Sequence, residues 1–118
     1  MTTRPPAEIG MSLDEVDTPA LIVDLDAFES NLRRLAERVK GSGVRLRPHA
    51  KTHKCVEIAK RQVASGALGV STATVPEAEA MVAGGVRGVL LTSPVVEYVV
   101  VTLVLSGSVV FVTHPMLL

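Results

Sequence analysis

The feature that most constrains the fold of this chain is a regular alternation of short apolar runs with longer mixed stretches. Four runs rich in apolar or β-branched residues predict strands, at residues 20–23, 44–46, 68–70 and 86–91. Their starting points lie 24, 24 and 18 residues apart. This spacing is too long for hairpins and typical of strand–helix–strand crossovers, so the sequence predicts a parallel α/β array of about four βα units.

The first interval between predicted strands has the pattern of an amphipathic helix. Its apolar residues recur at helical spacing on one face, namely Phe28, Leu32, Leu35 and Val39. Asp26 and Glu29 could form a capping box at the start, and Gly41 could end the helix in a left-handed conformation. Asp24 could cap this helix or face a site at the end of the first strand.

The next two intervals also predict helices. Thr52 is the expected N-cap of the second helix, which ends near Gly66. Its expected buried residues are Val56, Ala59 and Val63. In the third helix Pro76 fits the first position, and Gly84 with Gly85 closes the helix.

Two architectures contain such an array, the doubly wound open sheet and the (β/α)8 barrel. An open sheet that binds a dinucleotide favours a G-x-G-x-x-G turn after its first strand, and the segment "VDLDAF" has no glycine. The barrel is therefore favoured, but a complete one takes about 250 residues. We expect an α/β fold that is a partial (β/α)8 TIM-type barrel, with open parallel edges.

Charge and cysteine content exclude several classes of function. The 12 basic and 12 acidic residues balance, so no net field attracts nucleic acid or an anionic membrane surface. Cys55 is the only cysteine, which excludes an internal disulfide or a thiolate metal cluster and fits a cytoplasmic protein. The N-terminal residues have no apolar run of the secretory type. We therefore expect a small-molecule partner.

The segment "RPHAKTHK", residues 47–54, concentrates cationic side chains at the end of the second predicted strand. Alternation along that strand places on one face Arg45, Arg47, His49 and Lys51. If the other, apolar face meets the helices, Lys51 lies at the C-terminal mouth of the barrel, where barrel enzymes have their active sites. Arg47 and His49 would then disfavour the ammonium form of Lys51 and free an amine for attack on a carbonyl. The same spacing fits a solvated basic loop, and the residues alone leave both interpretations open.

Four segments together resemble a known enzyme family: "TPALIVDLDAFESNL", "RPHAKTHK", "GVSTATVPEAEAMVAGGV" and "VLLTSPV". They are similar to the N-terminal half of the alanine-racemase-like, fold-type III pyridoxal-phosphate enzymes. Within that family they most resemble the branch that contains D-threonine aldolase, D-serine dehydratase and 3-hydroxy-D-aspartate aldolase. The similarity covers residues 11–96, and "RPHAKTHK" is its most specific part.

The resemblance implies roles for residues of this segment. Lys51 matches the lysine that carries pyridoxal 5′-phosphate covalently, and Lys54 is a weaker candidate. His49 and Arg47 would lie near the cofactor. The implied function is a lyase, either aldolase or dehydratase, that acts on β-hydroxy-D-amino acids and is a homodimer in its full-length form. The alternatives are an amino-acid racemase, or a non-catalytic protein of the same superfamily that binds and handles pyridoxal phosphate.

Beyond residue 96 the chain departs from the resemblance. No charged residue follows Glu97, and we divide the chain into residues 1–96, the family-like part, and 97–118, a divergent apolar tail. The tail fits a hairpin of residues 98–105 and 109–113, a mediocre membrane span, or a frameshifted or truncated product; the abrupt change favours the last. In the family a divalent metal and most of the phosphate-binding loops come from later parts, whose ligands are absent here. We therefore expect a fragment with weak activity or none.

Four other positions have ordinary structural interpretations beside functional ones. Thr72 and Thr74 could line a pocket or satisfy the start of the third helix. His114, next to a proline in the tail, is typical of a turn. Cys55 is expected to be a small packed residue on the second helix.

Overall fold

The computed structural model of the chain describes residues 7–93 and the backbone of residues 109–111. Its elements in chain order are a 3-10 turn at Leu13–Glu15, helix α1 at Leu25–Val39, a 3-10 turn at Ala50–Thr52, helix α2 at Val56–Ala64, strand β1 at Ser71–Thr72, helix α3 at Val75–Ala83, strand β2 at Val89–Leu91 and strand β3 at Val109–Phe111. Helices and strands alternate from β1 to β2, as the spacing of the apolar runs predicts.

The three strands form one parallel sheet in the order β1-β2-β3. Ser71 lies beside Leu90 in the β1–β2 register, and Leu90 lies beside Val110 in the β2–β3 register. A parallel neighbour requires a crossover connection, which α3 provides between β1 and β2. The predicted α/β class with a parallel sheet is therefore confirmed.

A further segment, residues 46–49, runs along the free side of β1. The Leu68 N–H donates to the Leu46 carbonyl at 2.9 Å, and the Ser71 N–H donates to the Pro48 carbonyl at 2.7 Å. His49 forms an isolated parallel bridge with Ser71. The strand predicted at 44–46 is therefore displaced towards the C-terminus. It remains a bridge because Pro48 has no N–H to contribute to a ladder.

The other predicted strands are also shifted or unformed. The strand predicted at 68–70 is displaced towards the C-terminus, to β1 at 71–72, and the one predicted at 86–91 is shortened to β2. Residues 20–23 were predicted to form a strand and do not, because within residues 7–93 no backbone hydrogen bonds form alongside them. Leu21 and Ile22 are accordingly 84% and 55% exposed.

The helices agree better with the sequence than the strands do, although two caps were wrong. α1 is capped by Asp24, whose carboxylate accepts from the Ala27 N–H at 2.8 Å, so Asp26 lies inside the helix and forms no capping box. α2 begins after Cys55 and not after Thr52, because Lys54 adopts a positive φ of 48° that interrupts a helix. Gly41 follows the end of α1 with φ +75°, as predicted.

The core lies between α2, α3 and the strands. Its buried members are Ala50, Ala59, Val70, Ala78, Met81, Val86 and Val89, with Val56, Val63 and Val82 packed against them. The three residues expected to face inward from the second helix are therefore confirmed. Ala59 of α2 and Ala78 of α3 both belong to this cluster, so both helices contribute to the core that also contains Val70 and Val89.

Two glycines allow β1 and β2 to begin in close contact. A Cβ atom on Gly69 would lie 2.0 Å from the Gly88 carbonyl oxygen and 2.8 Å from that of Arg87. Gly88 has φ +68°, and a Cβ there would lie 2.3 Å from the Leu68 carbonyl oxygen. Neither position can hold a side chain without moving the backbone of the neighbouring segment.

Most of the tail lies outside the described residues, including residues 98–105 of the predicted hairpin and His114. Residues 109–111 form β3, whose described neighbour is β2 in a parallel arrangement. Among the described residues no helix is both long and apolar enough to cross a bilayer.

We expect Gly69→Ala to lower the free energy of unfolding by about 3 kcal/mol or more, because the new methyl group collides with backbone that has no room to relax. Urea unfolding followed by circular dichroism measures this effect. Gly85→Ala is the matched control, because Gly85 also has a positive φ but no atom within 4 Å of the place that a Cβ would occupy. It should cost only about 1–2 kcal/mol. Equal losses for the two variants would show that the close contact does not limit packing.

Candidate functional site

The candidate site lies at the carboxyl ends of the parallel segments, where residues 49, 72 and 92 meet. The Thr92 hydroxyl donates to the Thr72 carbonyl at 2.8 Å, and its oxygen lies 3.4 Å from Nε2 of His49. Thr72 is fully buried, and its hydroxyl lies 3.4 Å from the Leu90 carbonyl as a long donor. Side chains from three segments therefore form one polar edge, the end of a parallel sheet at which α/β proteins bind ligands.

Arg47 is held at the opposite, amino end of the same segments. Its guanidinium donates to the Gly88 carbonyl, the oxygen that a side chain on Gly69 would strike. His49 and Arg47 both reach across β1 to the neighbouring segment, which agrees with their predicted position on one face. The Arg47 guanidinium thus binds a backbone carbonyl, and Arg47 precedes His49 of the polar edge by two residues.

Lys51 lies in a tight turn that follows the polar edge. The N–H groups of His53 and Lys54 both donate to the Ala50 carbonyl, at 3.2 and 2.8 Å, which closes the turn. Its start is fixed because the Lys51 N–H donates to Nδ1 of His49 at 3.2 Å. Ala50 is 1% exposed against the core, whereas Lys51 is exposed. The turn therefore presents Lys51 to solvent at the C-terminal edge of the sheet.

The pairing of the lysines separates Lys51 from the rest. The chain has four lysines, and three of them pair with glutamates: Lys40 with Glu37 at 3.9 Å, Lys60 with Glu57 at 3.0 Å, and Lys54 with Glu77. Within residues 7–93 no carboxylate lies within 4.0 Å of the Lys51 ammonium. Lys51 is thus the lysine in this part of the chain whose amine is not engaged by an acid.

Glu77 connects the Lys51 turn to the loop that follows β1. One carboxylate oxygen accepts from the Lys54 ammonium, and the other accepts from the Ala73 N–H at 2.9 Å. The Glu77 N–H in turn lies 3.4 Å from the Thr74 hydroxyl, the N-cap of α3. The hydrogen bond from Lys54, followed by that from Ala73, lowers the pKa of Glu77 below its usual value of 4.5. Glu77 is therefore a carboxylate at neutral pH.

His53 occupies the inner side of the same turn. Its Nδ1 accepts from the Cys55 N–H at 3.1 Å, which satisfies a donor at the start of α2. Nε2 of His53 and Oε1 of Gln62 are both buried, and neither atom has a well-formed hydrogen bond. The nearby Gln62 side chain nevertheless favours the protonated ring and so acts to raise the pKa of His53. Burial outweighs that contribution and lowers the pKa of His53 below 6.5. His53 is therefore a neutral structural group.

Other described features do not enlarge the site. Among residues 7–93 no group of three or more His, Cys, Asp or Glu side chains could hold a metal ion. A cleft of about 570 Å³ opens at the amino end of the sheet, between the end of α1 and residues 43–46. A smaller one, of about 60 Å³, is lined by Leu46 and Pro48 and by residues of α1 and α2, so these two apolar side chains lie on the side of the segment that faces the helices.

A comparison with known protein families shows to which family the chain belongs. The profile described as "Alanine racemase, N-terminal domain" matches residues 23–113, more than three quarters of the chain. The chain belongs to this family. The matched residues include the whole of "RPHAKTHK" and extend beyond residue 96 into the tail.

Individual members of the family are similar over much of this chain. D-threonine aldolase from Arthrobacter sp. is 48% identical over 92 residues, which are 78% of this chain and 24% of the relative. D-threo-3-hydroxyaspartate dehydratase from Delftia sp. is 45% identical over 75 residues, 64% of this chain and 20% of the relative. The crystal structure of D-threonine aldolase from Filomicrobium marinum superposes with a TM-score of 0.76 at 56% identity and covers 80% of this chain and 26% of that one. The chain thus spans about a quarter or less of the length of these relatives.

From the sequence, Glu77 was placed only near the positive end of the third helix's dipole, and its pairing with Lys54 was missed, as were Thr92 and the role of His53. The Lys40 and Lys60 pairs have i,i+3 spacing that a sequence reveals, whereas Lys54 and Glu77 are 23 positions apart. Thr72 and Thr74 were left open, and the structure uses both in structural hydrogen bonds. The position of Glu77 in the first turn of α3 was evident from the sequence, but it does not by itself indicate which cation the carboxylate contacts.

We expect the free energy of unfolding to fall as the pH is lowered from about 8 to about 5. A histidine whose folded-state pKa is depressed stabilises the fold above its unfolded pKa, and that stability is lost as the pH falls through the folded value. Thermal unfolding across this range measures the slope, and His53→Gln should make it shallower. An unchanged slope in the variant would show that other groups cause the acid sensitivity.

Proposed function

We propose that this chain supplies the lysine-bearing part of a pyridoxal-phosphate-dependent lyase that acts on β-hydroxy-D-amino acids. The observation that carries the proposal is the state of Lys51, which is exposed at the carboxyl edge of the sheet and has no carboxylate partner among residues 7–93. The relatives named above are an aldolase and a dehydratase whose named substrates, threonine and 3-hydroxyaspartate, share a hydroxyl on the β carbon. This shared group suggests the substrate class.

The residues at this edge fit the aldehyde end of pyridoxal phosphate. A primary amine without an acid partner needs only to lose a proton to attack a carbonyl, and Lys51 supplies one. Nε2 of the His49 imidazole and the Thr92 hydroxyl oxygen lie 3.4 Å apart at the same edge of the sheet and would offer hydrogen-bonding groups for the polar ring substituents. Lys51 would hold the cofactor, and His49 would contact it; Arg47 remains a candidate.

Each residue then has a definable task. When bound, pyridoxal phosphate supplies an electron sink for a bond broken next to the α carbon of an amino acid. Lys51 provides the attachment, and its turn is fixed through Nδ1 of His49. With Nδ1 engaged as an acceptor, the neutral ring carries its proton on Nε2, which faces the Thr92 hydroxyl. Arg47 fixes the position of the segment through the Gly88 carbonyl.

We further propose that the described part is a portion of a (β/α)8 barrel. The exposed side chains of residues 21–23 and the free sides of the outer segments would then be covered by further strands of the barrel. The additional strands would also provide phosphate ligands and any divalent metal site. A homodimer is proposed for the full-length enzyme.

The attachment can be tested directly. Protein incubated with pyridoxal phosphate and reduced with borohydride should carry a pyridoxyl group on Lys51, located by peptide mass mapping, and should show visible absorbance before reduction. Lys51→Ala should lose this absorbance while its free energy of unfolding changes by less than about 0.5 kcal/mol, because the side chain is exposed.

Lys60→Ala is the matched control, because Lys60 is also an exposed lysine but pairs with Glu57 on α2. It should retain both the absorbance and the label on Lys51. Modification spread evenly over the four lysines would count against a specific cofactor site.

A further inference from the structure

The turn at residues 50–54 contains two lysines that lie three positions apart and could compete for one aldehyde. Both belong to the "RPHAKTHK" segment, and both are exposed. They differ in their surroundings, because the Lys54 ammonium contacts the Glu77 carboxylate and the Lys51 ammonium contacts no carboxylate within residues 7–93. Sequence position alone does not explain which of the two amines reacts.

The Glu77 carboxylate is well fixed for this contact. The side chain of Glu77 is 13% exposed and that of Lys54 is 63% exposed, so the acid is the more buried partner of the pair. The second carboxylate oxygen is held by the Ala73 N–H at 2.9 Å, and α3 begins at the same place with its N-terminal dipole. These contacts keep the carboxylate ionised and aimed at the end of the turn.

Lys54 is also held in an uncommon backbone conformation. Its φ of 48° lies in the left-handed region, which L-residues other than glycine and asparagine rarely adopt. The Lys54 N–H donates to the Ala50 carbonyl at 2.8 Å, so the turn itself closes on this residue. The side chain therefore leaves the turn in a direction set by the backbone, towards α3.

From these contacts we propose that Glu77 is a specificity-determining residue, which holds the Lys54 ammonium so that Lys51 is the amine of the turn that condenses with an aldehyde cofactor. The inference rests on the proposed function and assigns a role to a residue that does not itself touch the cofactor. Glu77 acts through Lys54 and is thus a positioning residue for the reaction.

The chemistry explains why an ion pair has this effect. Condensation requires that the ammonium first release a proton to solvent; the amine nitrogen then bonds to the aldehyde carbon, and the aldehyde oxygen leaves as water with the two remaining nitrogen protons. An ammonium beside a carboxylate loses that electrostatic attraction when it is deprotonated, whereas the Lys51 ammonium has no such carboxylate within residues 7–93. Borohydride then adds hydride to the carbon and solvent supplies a proton to the nitrogen, which makes the product permanent.

The experiment measures the ratio of pyridoxyl label on Lys54 to that on Lys51 after limited reaction with pyridoxal phosphate and reduction with borohydride. In the unaltered chain Lys51 should dominate. In Glu77→Gln, which keeps an acceptor for the Ala73 N–H but removes the charge, the ratio should rise about two- to fivefold, the range expected of a largely exposed ion pair. Glu57→Gln is the matched control: it releases Lys60 on α2 and should leave the Lys54 to Lys51 ratio unchanged.

A second measurement needs no variant and applies even if Glu77→Gln folds poorly. Raising the salt concentration from about 0.05 to about 1 M screens an exposed ion pair, so the ratio in the unaltered chain should rise towards the Glu77→Gln value. If high salt slows the labelling of both lysines equally, the ratio of label on Lys54 to label on Lys51 does not change for that reason. A ratio that responds neither to Glu77→Gln nor to salt would overturn the proposal.

The two proposals fail in different ways. If Lys51 is labelled no more than Lys40 and Lys60, the proposed function fails, although Glu77→Gln can still raise the label on Lys54. If Lys51 is labelled preferentially and Glu77→Gln leaves Lys54 unlabelled, the proposed function stands and the role of Glu77 is refuted.

Discussion

The arrangement of the site depends on the close contact between the backbones at Gly69 and Gly88. Because neither residue has a side chain, β1 and β2 begin almost in contact, and this start sets the register in which Ser71 lies beside Leu90. The same register carries Thr72 and Thr92 to a common edge. The Gly88 carbonyl then remains accessible to Arg47, which ties the segment before the Lys51 turn to the sheet. The backbone contact between Gly69 and Gly88 thus aligns Thr72 and Thr92, which follow these glycines by three and four residues.

Helices were predictable from the sequence because their signals are local. The apolar face of α1, the glycine after its end and the buried residues of α2 all follow from spacing within about 15 residues. Strand limits were less predictable, because a strand exists only where a partner pairs with it. Residues 20–23 have the composition of a strand, but the described part of the chain gives them no partner; Pro48 similarly reduces its segment to a bridge.

The candidate site shows the same division between local and distant information. The place of Lys51 after the end of the second predicted strand agrees with the sequence, although residues 50–52 form a turn and do not continue the strand alternation. The proposal that Lys51 binds pyridoxal phosphate came from family resemblance. The ion pair between Lys54 and Glu77 could not be predicted, since it joins a turn to the first turn of α3, 23 residues further along the chain, and depends on how α3 packs. The start of α2 was missed for a related reason, because a positive φ at a lysine leaves no mark in the sequence.

The left-handed conformation of Lys54 also bears on how this segment can be altered. Glycine at this position would relieve backbone strain of about 1–2 kcal/mol and would suit the turn better than any other residue. It would also remove the ammonium that Glu77 holds. A search for stabilising substitutions would therefore select glycine here, and the gain in stability would come with the loss of the contact between the turn and α3. The backbone conformation at position 54 thus favours glycine, whereas the contact with Glu77 requires lysine.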